Sequence, residues 1–199
     1  DVFYYVTIMN ESYAQPSMPA EAREGILRGM YKAQGPTGAP VRLLGAGTIL
    51  VEALAAGELL RNDWDIEAEV FSVTSFTELR REAMAATRAS RLAPSAAATP
   101  SPRTWIETQL PRTGAPVVAA SDYVGAVPDL IRPWIADPYV VLGTDGFGRS
   151  DTRAHLRRFF EVDRHAIAAA ALHALGDARV AEAVKRYGID AASAPPWTR

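Results

Sequence analysis

The sequence has no cysteine among its 199 residues. That absence excludes disulfide bonds, thiolate metal sites and cysteine nucleophiles together. No basic run is present either, since 21 Lys and Arg residues against 23 Asp and Glu residues give a formal net charge of −2, and we expect no nucleic-acid partner. No apolar run approaches the roughly 20 residues of a membrane-spanning helix, and no signal peptide opens the chain, so we expect no membrane partner and a cytoplasmic setting.

Histidine is scarce, with only His155, His165 and His173 in the chain. Metal sites and proton shuttles need convergent partners, and no His-Glu-x-x-His or paired-carboxylate pattern surrounds these three residues. We interpret all three as surface or partly packed helix residues. Ser121-Asp122 lacks the Gly-x-Ser-x-Gly elbow of a hydrolase. The sequence therefore offers no catalytic, cofactor-binding or metal-binding residue.

Strand-like and helix-like stretches alternate from Val41 to the C-terminus. Strands are predicted at 41–44, 67–73, 117–120 and 139–142, and helices at 48–61, from 76 to 84, and at 104–110, 123–134, 152–160, 164–175 and 178–187. Pro128 interrupts the fourth helix, and Gly188 ends the last one in a Schellman motif. This alternation predicts an α/β fold with three layers, a mostly parallel twisted sheet carrying helices on both faces.

The remaining segments lie outside this alternation of strands and helices. Val2–Met9 is an almost unbroken apolar run and is predicted to be a strand covered on both faces. A helix is predicted at 21–33, followed by a linker at 34–40 that is rich in glycine and proline. Residues 85–103 are rich in alanine, serine and proline, which predicts a mobile surface segment.

The residues Val140–Leu142 predict a buried strand, and a glycine-rich stretch follows it. Glycine at this density allows positive φ or a close approach to another surface. Asp145, Arg149 and Asp151 are candidates for a charged cluster, or for an N-cap by Asp151 together with a local ion pair. We predict close packing at an interface, not catalysis, for the loop formed by Gly143, Asp145, Gly146, Phe147, Gly148, Arg149 and Asp151.

A second glycine turn, Gly45–Thr48, lies between a predicted strand and a predicted helix, where a phosphate can bind a helix N-terminus. The dinucleotide fingerprint needs a third glycine at position 50, which is leucine here, and an acidic residue ending the next strand. A plain tight turn is the better interpretation, although a small-molecule binding module remains an alternative.

Several segments resemble one enzyme family over nearly the whole chain. They are GTDGFGRSDTR at 143–153, VFYYVT at 2–7, VRLLGAGT at 41–48, SVTSFTEL at 72–79 and FEVD at 160–163. In order and spacing they resemble the C-terminal part of the homodimeric, thiamine diphosphate-dependent pyruvate dehydrogenase decarboxylase subunit. The resemblance implies a transketolase-type C-terminal domain at 41–199, preceded at 1–40 by the end of a pyrimidine-binding domain and a linker.

The resemblance also implies what the whole enzyme does. It would decarboxylate pyruvate on thiamine diphosphate and Mg²⁺ and pass the acetyl group to the lipoyl groups of a dihydrolipoyl acyltransferase core. This chain would be a structural and dimerisation domain, with its own N-terminal and central domains and a second copy as partners. A related 2-oxo-acid decarboxylase is the alternative.

The cofactor-binding pattern of that family is incomplete in this chain. The family holds the diphosphate and Mg²⁺ through a Gly-Asp-Gly segment followed by asparagines. Thr144 stands where the first glycine belongs, and the only asparagines are Asn10 and Asn62. The resemblance therefore places cofactors and catalytic base in other domains and implies that this fragment alone is inactive.

Overall fold

The computed structural model describes residues 12–92 and 103–198. In chain order the elements are α1 (Ala22–Arg28), β1 (Met30–Gln34), β2 (Val41–Ala46), α2 (Ile49–Trp64), β3 (Ala68–Val73), α3 (Phe76–Leu92), α4 (Trp105–Gln109), β4 (Val117–Ala120), α5 (Ala126–Asp129), β5 (Tyr139–Leu142), α6 (Arg153–Phe159), α7 (Arg164–Ala174) and α8 (Val180–Arg186). Single 3-10 turns lie at Arg132–Trp134 and Pro196–Thr198.

The five strands form one sheet in the order β1-β3-β2-β4-β5. Neighbours among β2, β3, β4 and β5 run parallel, and β1 runs antiparallel to β3. The predicted mostly parallel sheet is confirmed. Because the chain moves from β2 outward to β3 but from β4 outward to β5, the connections diverge between β2 and β4, which is where open α/β sheets form a crevice.

Helices cover both faces of the sheet, because side chains that alternate along β2 enter two separate cores. Leu43 packs with residues of α2, α7 and α8, whereas Leu44 packs with residues of α3 and α4. Both leucines are fully buried. The predicted three-layer architecture is therefore confirmed, and burial of these apolar side chains from water is its main stabilising term.

A buried ion pair closes the amino edge of the sheet. Nη2 of Arg42, on β2, lies 2.5 Å from Oδ2 of Asp137, and both side chains are almost fully buried. Asp137 also accepts hydrogen bonds from the backbone N–H groups of Thr113 and Gly114. Burial alone would raise the pKa of Asp137, but these N–H groups and the Arg42 guanidinium outweigh it and lower the pKa.

The predicted helix at 21–33 is wrong in its second half. Gly29 adopts φ of 100°, which ends α1. Residues 30–34 then form β1, because they complete the ladder at the free edge of β3 and bury Met30 fully. Helical spacing of apolar residues could not reveal that an unpaired strand edge was available.

Two other expectations need correction. Residues 85–92 continue α3 and do not begin a loop; Trp134 Nε1 donates to Thr87 Oγ1 at 2.9 Å from outside the helix. The remainder of that predicted mobile segment, 93–102, and the run Val2–Met9 lie outside the described residues. Strand β5 is half-buried throughout, not buried, because it is the edge strand of the sheet.

The predicted helix stops are confirmed at the C-terminal end. Gly188 has φ of 62°, the Ile189 N–H donates to the Val184 carbonyl at 2.9 Å, and the Gly188 N–H donates to the Lys185 carbonyl. These bonds are a Schellman motif. The predicted helix at 123–134 is broken into the single turn α5, which contains Pro128, and the 3-10 turn at Arg132–Trp134. Within residues 12–92 and 103–198, every helix is too short or too polar to cross a bilayer.

Candidate interface at the carboxyl edge of the sheet

The loops that follow β2, β4 and β5 meet at the carboxyl edge of the sheet. Parallel strands direct these three loops to one side, and the diverging connections of β2 and β4 leave space between them. The glycine-rich loop after β5, residues 143–151, lies on this edge. Its neighbours are the loop at 121–125 and the C-terminal turn at 195–198.

The first half of the glycine loop is bound to the loop after β4. A Cβ atom on Gly143 would clash with the backbone of Gly125, so only glycine allows the two loops to come this close. The Thr144 N–H donates to the Tyr123 carbonyl at 2.9 Å, and Asp145 Oδ2 accepts from the Gly125 N–H at 3.0 Å. Asp145 therefore serves as a backbone acceptor between two loops.

The second half of the loop contacts the chain's own C-terminal turn. Gly146 has φ of 116°, and a Cβ atom there would lie 2.8 Å from the carbonyl oxygen of Pro196. Nothing lies within 4 Å of the corresponding position on Gly148. Phe147, between them, is 82% exposed. Gly146 thus closely approaches another segment of the same chain, while Phe147 is exposed.

The three charged residues of the loop do not join into one cluster. The Arg149 guanidinium lies 4.3 Å from the centre of the Phe159 ring. Asp151 accepts from the Thr152 N–H at 2.7 Å and lies 3.0 Å from His155 Nδ1, and these bonds lower the pKa of its carboxyl, that from Thr152 most. In the described part of the chain, no ion pair links Asp145, Arg149 and Asp151.

The N-cap of α6 is Thr152, not Asp151. Oγ1 of Thr152 accepts from the His155 N–H at 3.3 Å, while Asp151 lies one residue before the cap. The extended backbone of Thr152, with φ of −64° and ψ of 152°, is the conformation typical of an N-cap residue.

The turn after β2 is compact. A Cβ atom on Gly45 would lie 2.6 Å from the Leu50 Cα, so this glycine allows α2 to pack directly on β2. Oγ1 of Thr48 is buried and has no hydrogen-bond partner among the described residues. Beside it lies a cavity of about 230 Å³, which is also lined by Asp122, Thr144 and Arg149.

A buried carboxylate, through an arginine, links this edge to the first described residues of the chain, which we call the incoming chain (residues 12–19). Glu52, in the first turn of α2, accepts from Arg164 Nε at 2.9 Å and from Arg157 Nη1 at 3.2 Å. Burial alone would raise the pKa of Glu52, but Arg164, with a smaller contribution from Arg157, lowers it below its ordinary value. Arg157 Nη2 also donates to the hydroxyl of Tyr13 at 3.1 Å. The residues that make these contacts are separated by at least 105 positions in the sequence, so no local pattern could reveal them.

The three histidines are found on α6 and α7. His155 pairs with Asp151, and His165 Nδ1 lies 3.5 Å from Asp163 Oδ2, while His173 is exposed near the end of α7. Across the described ranges, no three acidic or histidine side chains converge as metal ligands. Asp145, the carboxylate of the incomplete Gly-Asp-Gly pattern, is hydrogen-bonded through Oδ2 to the Gly125 N–H.

Comparison with known families identifies the type of domain. Residues 29–163 match the family described as the transketolase-like TK C-terminal domain. Among solved structures, transketolase from Leishmania mexicana superposes with a TM-score of 0.55 and 18% identity, covering 77% of this chain and 19% of that chain. At that identity the structural likeness shows the fold alone.

Full-length relatives share much higher identity. The pyruvate dehydrogenase E1 component of Pseudomonas aeruginosa is 49% identical over 200 residues, which cover 96% of this chain. The protein of that name from Escherichia coli K12 is 42% identical over 205 residues, covering 98% of this chain. The chain spans only 22% of the length of either relative.

Proposed function

Because this chain belongs to the transketolase-like C-terminal domain family, we propose that it is the C-terminal part of a pyruvate dehydrogenase E1 component. The observation that carries this proposal is identity of 49% with the Pseudomonas aeruginosa protein through 96% of the chain. The whole protein is then an oxidoreductase of pyruvate metabolism, linked to glycolysis, that decarboxylates pyruvate and transfers the acetyl group to lipoyl groups. It would act in the cytoplasm as a homodimer within a multienzyme complex built on a dihydrolipoyl acyltransferase core.

The proposed role of this domain is structural. The loops at its carboxyl edge are hydrogen-bonded to one another, as in the Asp145–Gly125 bond. Its buried Glu52 accepts hydrogen bonds from two arginines. These contacts suit a rigid body that supports a catalytic domain and contributes to the dimer. Thiamine diphosphate and Mg²⁺ would be held by the domains that precede it.

The domain division is part of the same proposal. Residues 1–40 would end the pyrimidine-binding domain and form the connection, and residues 41–199 would form the C-terminal domain. Since β1 pairs with β3, the connection would also supply the edge strand of the C-terminal sheet.

The test is the activity of the full-length protein from the parent gene. With thiamine diphosphate, Mg²⁺ and a lipoyl domain present, it should decarboxylate pyruvate in preference to larger 2-oxo acids. A preference for another 2-oxo acid would favour a related decarboxylase instead. Residues 1–199 alone should neither decarboxylate pyruvate nor bind thiamine diphosphate in calorimetry, and micromolar binding would contradict the structural role.

One observation favours a second candidate, a small-molecule binding module at the turn after β2. The unpartnered Thr48 hydroxyl lies beside the 230 Å³ cavity. Against it, Gly45 is already explained by the close packing of α2 on β2. Titration with a nucleotide distinguishes the two, because a plain structural turn gives no saturable heat.

A further inference from the structure

Four exposed apolar side chains lie close to the glycine loop. Tyr123 and Val124 belong to the loop that is hydrogen-bonded to Thr144, and both are about half exposed. Phe147 is 82% exposed and Trp197 is 62% exposed, and both adjoin Gly146 or contact it. We call Tyr123, Val124, Phe147 and Trp197 the edge patch. Clustered exposed aromatic residues mark interaction surfaces, whereas single ones do not.

The backbone that presents the edge patch is firmly held. The Asp145–Gly125 bond, the Thr144–Tyr123 bond and the contact of Gly146 with Pro196 join the three segments that carry the patch. A preorganised surface loses little conformational entropy on binding. The backbone segments that carry the exposed side chains are therefore held together before any partner binds.

The position of the incoming chain indicates which polypeptide covers the edge patch. Tyr13, Gln15 and Pro16 lie along the same edge, next to Tyr123 and the turn at Gly47. Tyr13 is held there by Arg157, which is anchored by the buried Glu52. The first described residues therefore lie on the edge that carries the patch, and the polypeptide that precedes them joins the domain there.

We propose that the edge patch is the docking surface for the polypeptide that precedes this domain in the full-length protein, and not for a second copy. This inference rests on the proposed function, since the E1 relatives match this chain over only 22% of their length, in their C-terminal region. The missing part is then large enough to cover the patch, and it is tethered at the correct edge.

The experiment places the photoreactive analogue p-benzoylphenylalanine at Phe147 in the full-length protein. The analogue keeps the aromatic ring, so folding should be preserved. After irradiation, we expect a cross-link from residue 147 to a peptide upstream of residue 1 within one chain, at unchanged mass in denaturing gels. The matched control carries the analogue at Arg112, an exposed residue on the opposite edge of the sheet, and should give no such product.

Each other outcome overturns the proposal. A product of twice the chain mass would show that a second copy covers the edge patch. Cross-links confined to residues 1–199, or yields no higher than at Arg112, would show that the patch stays open. Pyruvate decarboxylation of the unmodified protein is assayed in parallel, so failure of the proposed function is seen separately from failure of the docking inference.

Discussion

Asp145 Oδ2 accepts a hydrogen bond from the backbone N–H of Gly125 at 3.0 Å, joining the loops that follow the neighbouring parallel strands β4 and β5. Replacing Asp145 with alanine leaves that N–H without its charged acceptor, which should lower the free energy of unfolding by about 1–2 kcal/mol. Asp145→Asn keeps an oxygen acceptor and should lose less. Urea denaturation of the three proteins measures the difference, and equal losses for both variants would show that the bond contributes nothing specific.

Gly146 and Gly148 form a matched pair for testing the loop. Gly146→Val places a β-branched side chain at φ of 116° and against the Pro196 carbonyl, so we expect a loss of about 2 kcal/mol or more. Gly148→Val enters open space and should change stability by less than about 0.5 kcal/mol. Thermal unfolding of both variants checks this.

Sedimentation of the same two variants in the full-length protein tests the proposed interface role. Only Gly146→Val should weaken the dimer, because it displaces the loop on which the preceding polypeptide is proposed to dock, and decarboxylation should fall in step with dissociation. An intact dimer without activity would instead assign the loop to the chemistry.

Two buried carboxylates predict acid sensitivity. The pKa values of Glu52 and Asp137 are both lowered in the folded protein. Their stabilisation is therefore fully present above the unfolded-state values of about 4 and is lost as pH falls through the lower folded values. The urea midpoint should fall steeply below pH 4. Glu52→Gln should be less stable at pH 7 but should show a shallower decline, and parallel curves would mean that Glu52 does not titrate with unfolding.

The edge strand β1 allows a test of where the folding unit begins, because the proposed connection at 1–40 also supplies this strand. A chain beginning at Val41 lacks Met30, which is fully buried, and leaves the edge of β3 unpaired. We expect it to unfold at lower temperature and to aggregate, whereas a chain beginning at Pro19 retains α1 and β1. Light scattering during thermal unfolding compares them. Equal behaviour would place β1 outside the folding unit.

Local patterns predicted the elements that local forces determine. The apolar residues of β2, β3 and β4 and the glycine stop at Gly188 are local features of the sequence, and these elements were predicted closely. The strand β1 was missed because its conformation depends on the free edge of β3, a tertiary feature. The half-buried state of β5 likewise depends on its place at the end of the sheet.

The candidate interface was predicted only in part, for the same reason. The glycines indicated close approach, but not that Gly146 would contact Pro196, about fifty residues later in the chain. The link from Tyr13 through Arg157 to Glu52 joins three segments that are far apart in the sequence. No pattern in a single sequence indicates that these segments lie close together in the fold. Charge alone suggested a cluster of Asp145, Arg149 and Asp151 that the backbone geometry does not form.

The central place of β2 affects how the chain can be synthesised. Its partner β4 begins at Val117, and Arg42 meets Asp137 only across 95 residues. On the ribosome, β2 and β3 can pair early, but one edge of β2 stays open until β4 emerges, about 70 residues after the end of β2. At about 5–20 residues per second, that interval lasts several seconds or more, during which an apolar strand edge is exposed to chaperones or to neighbouring nascent chains.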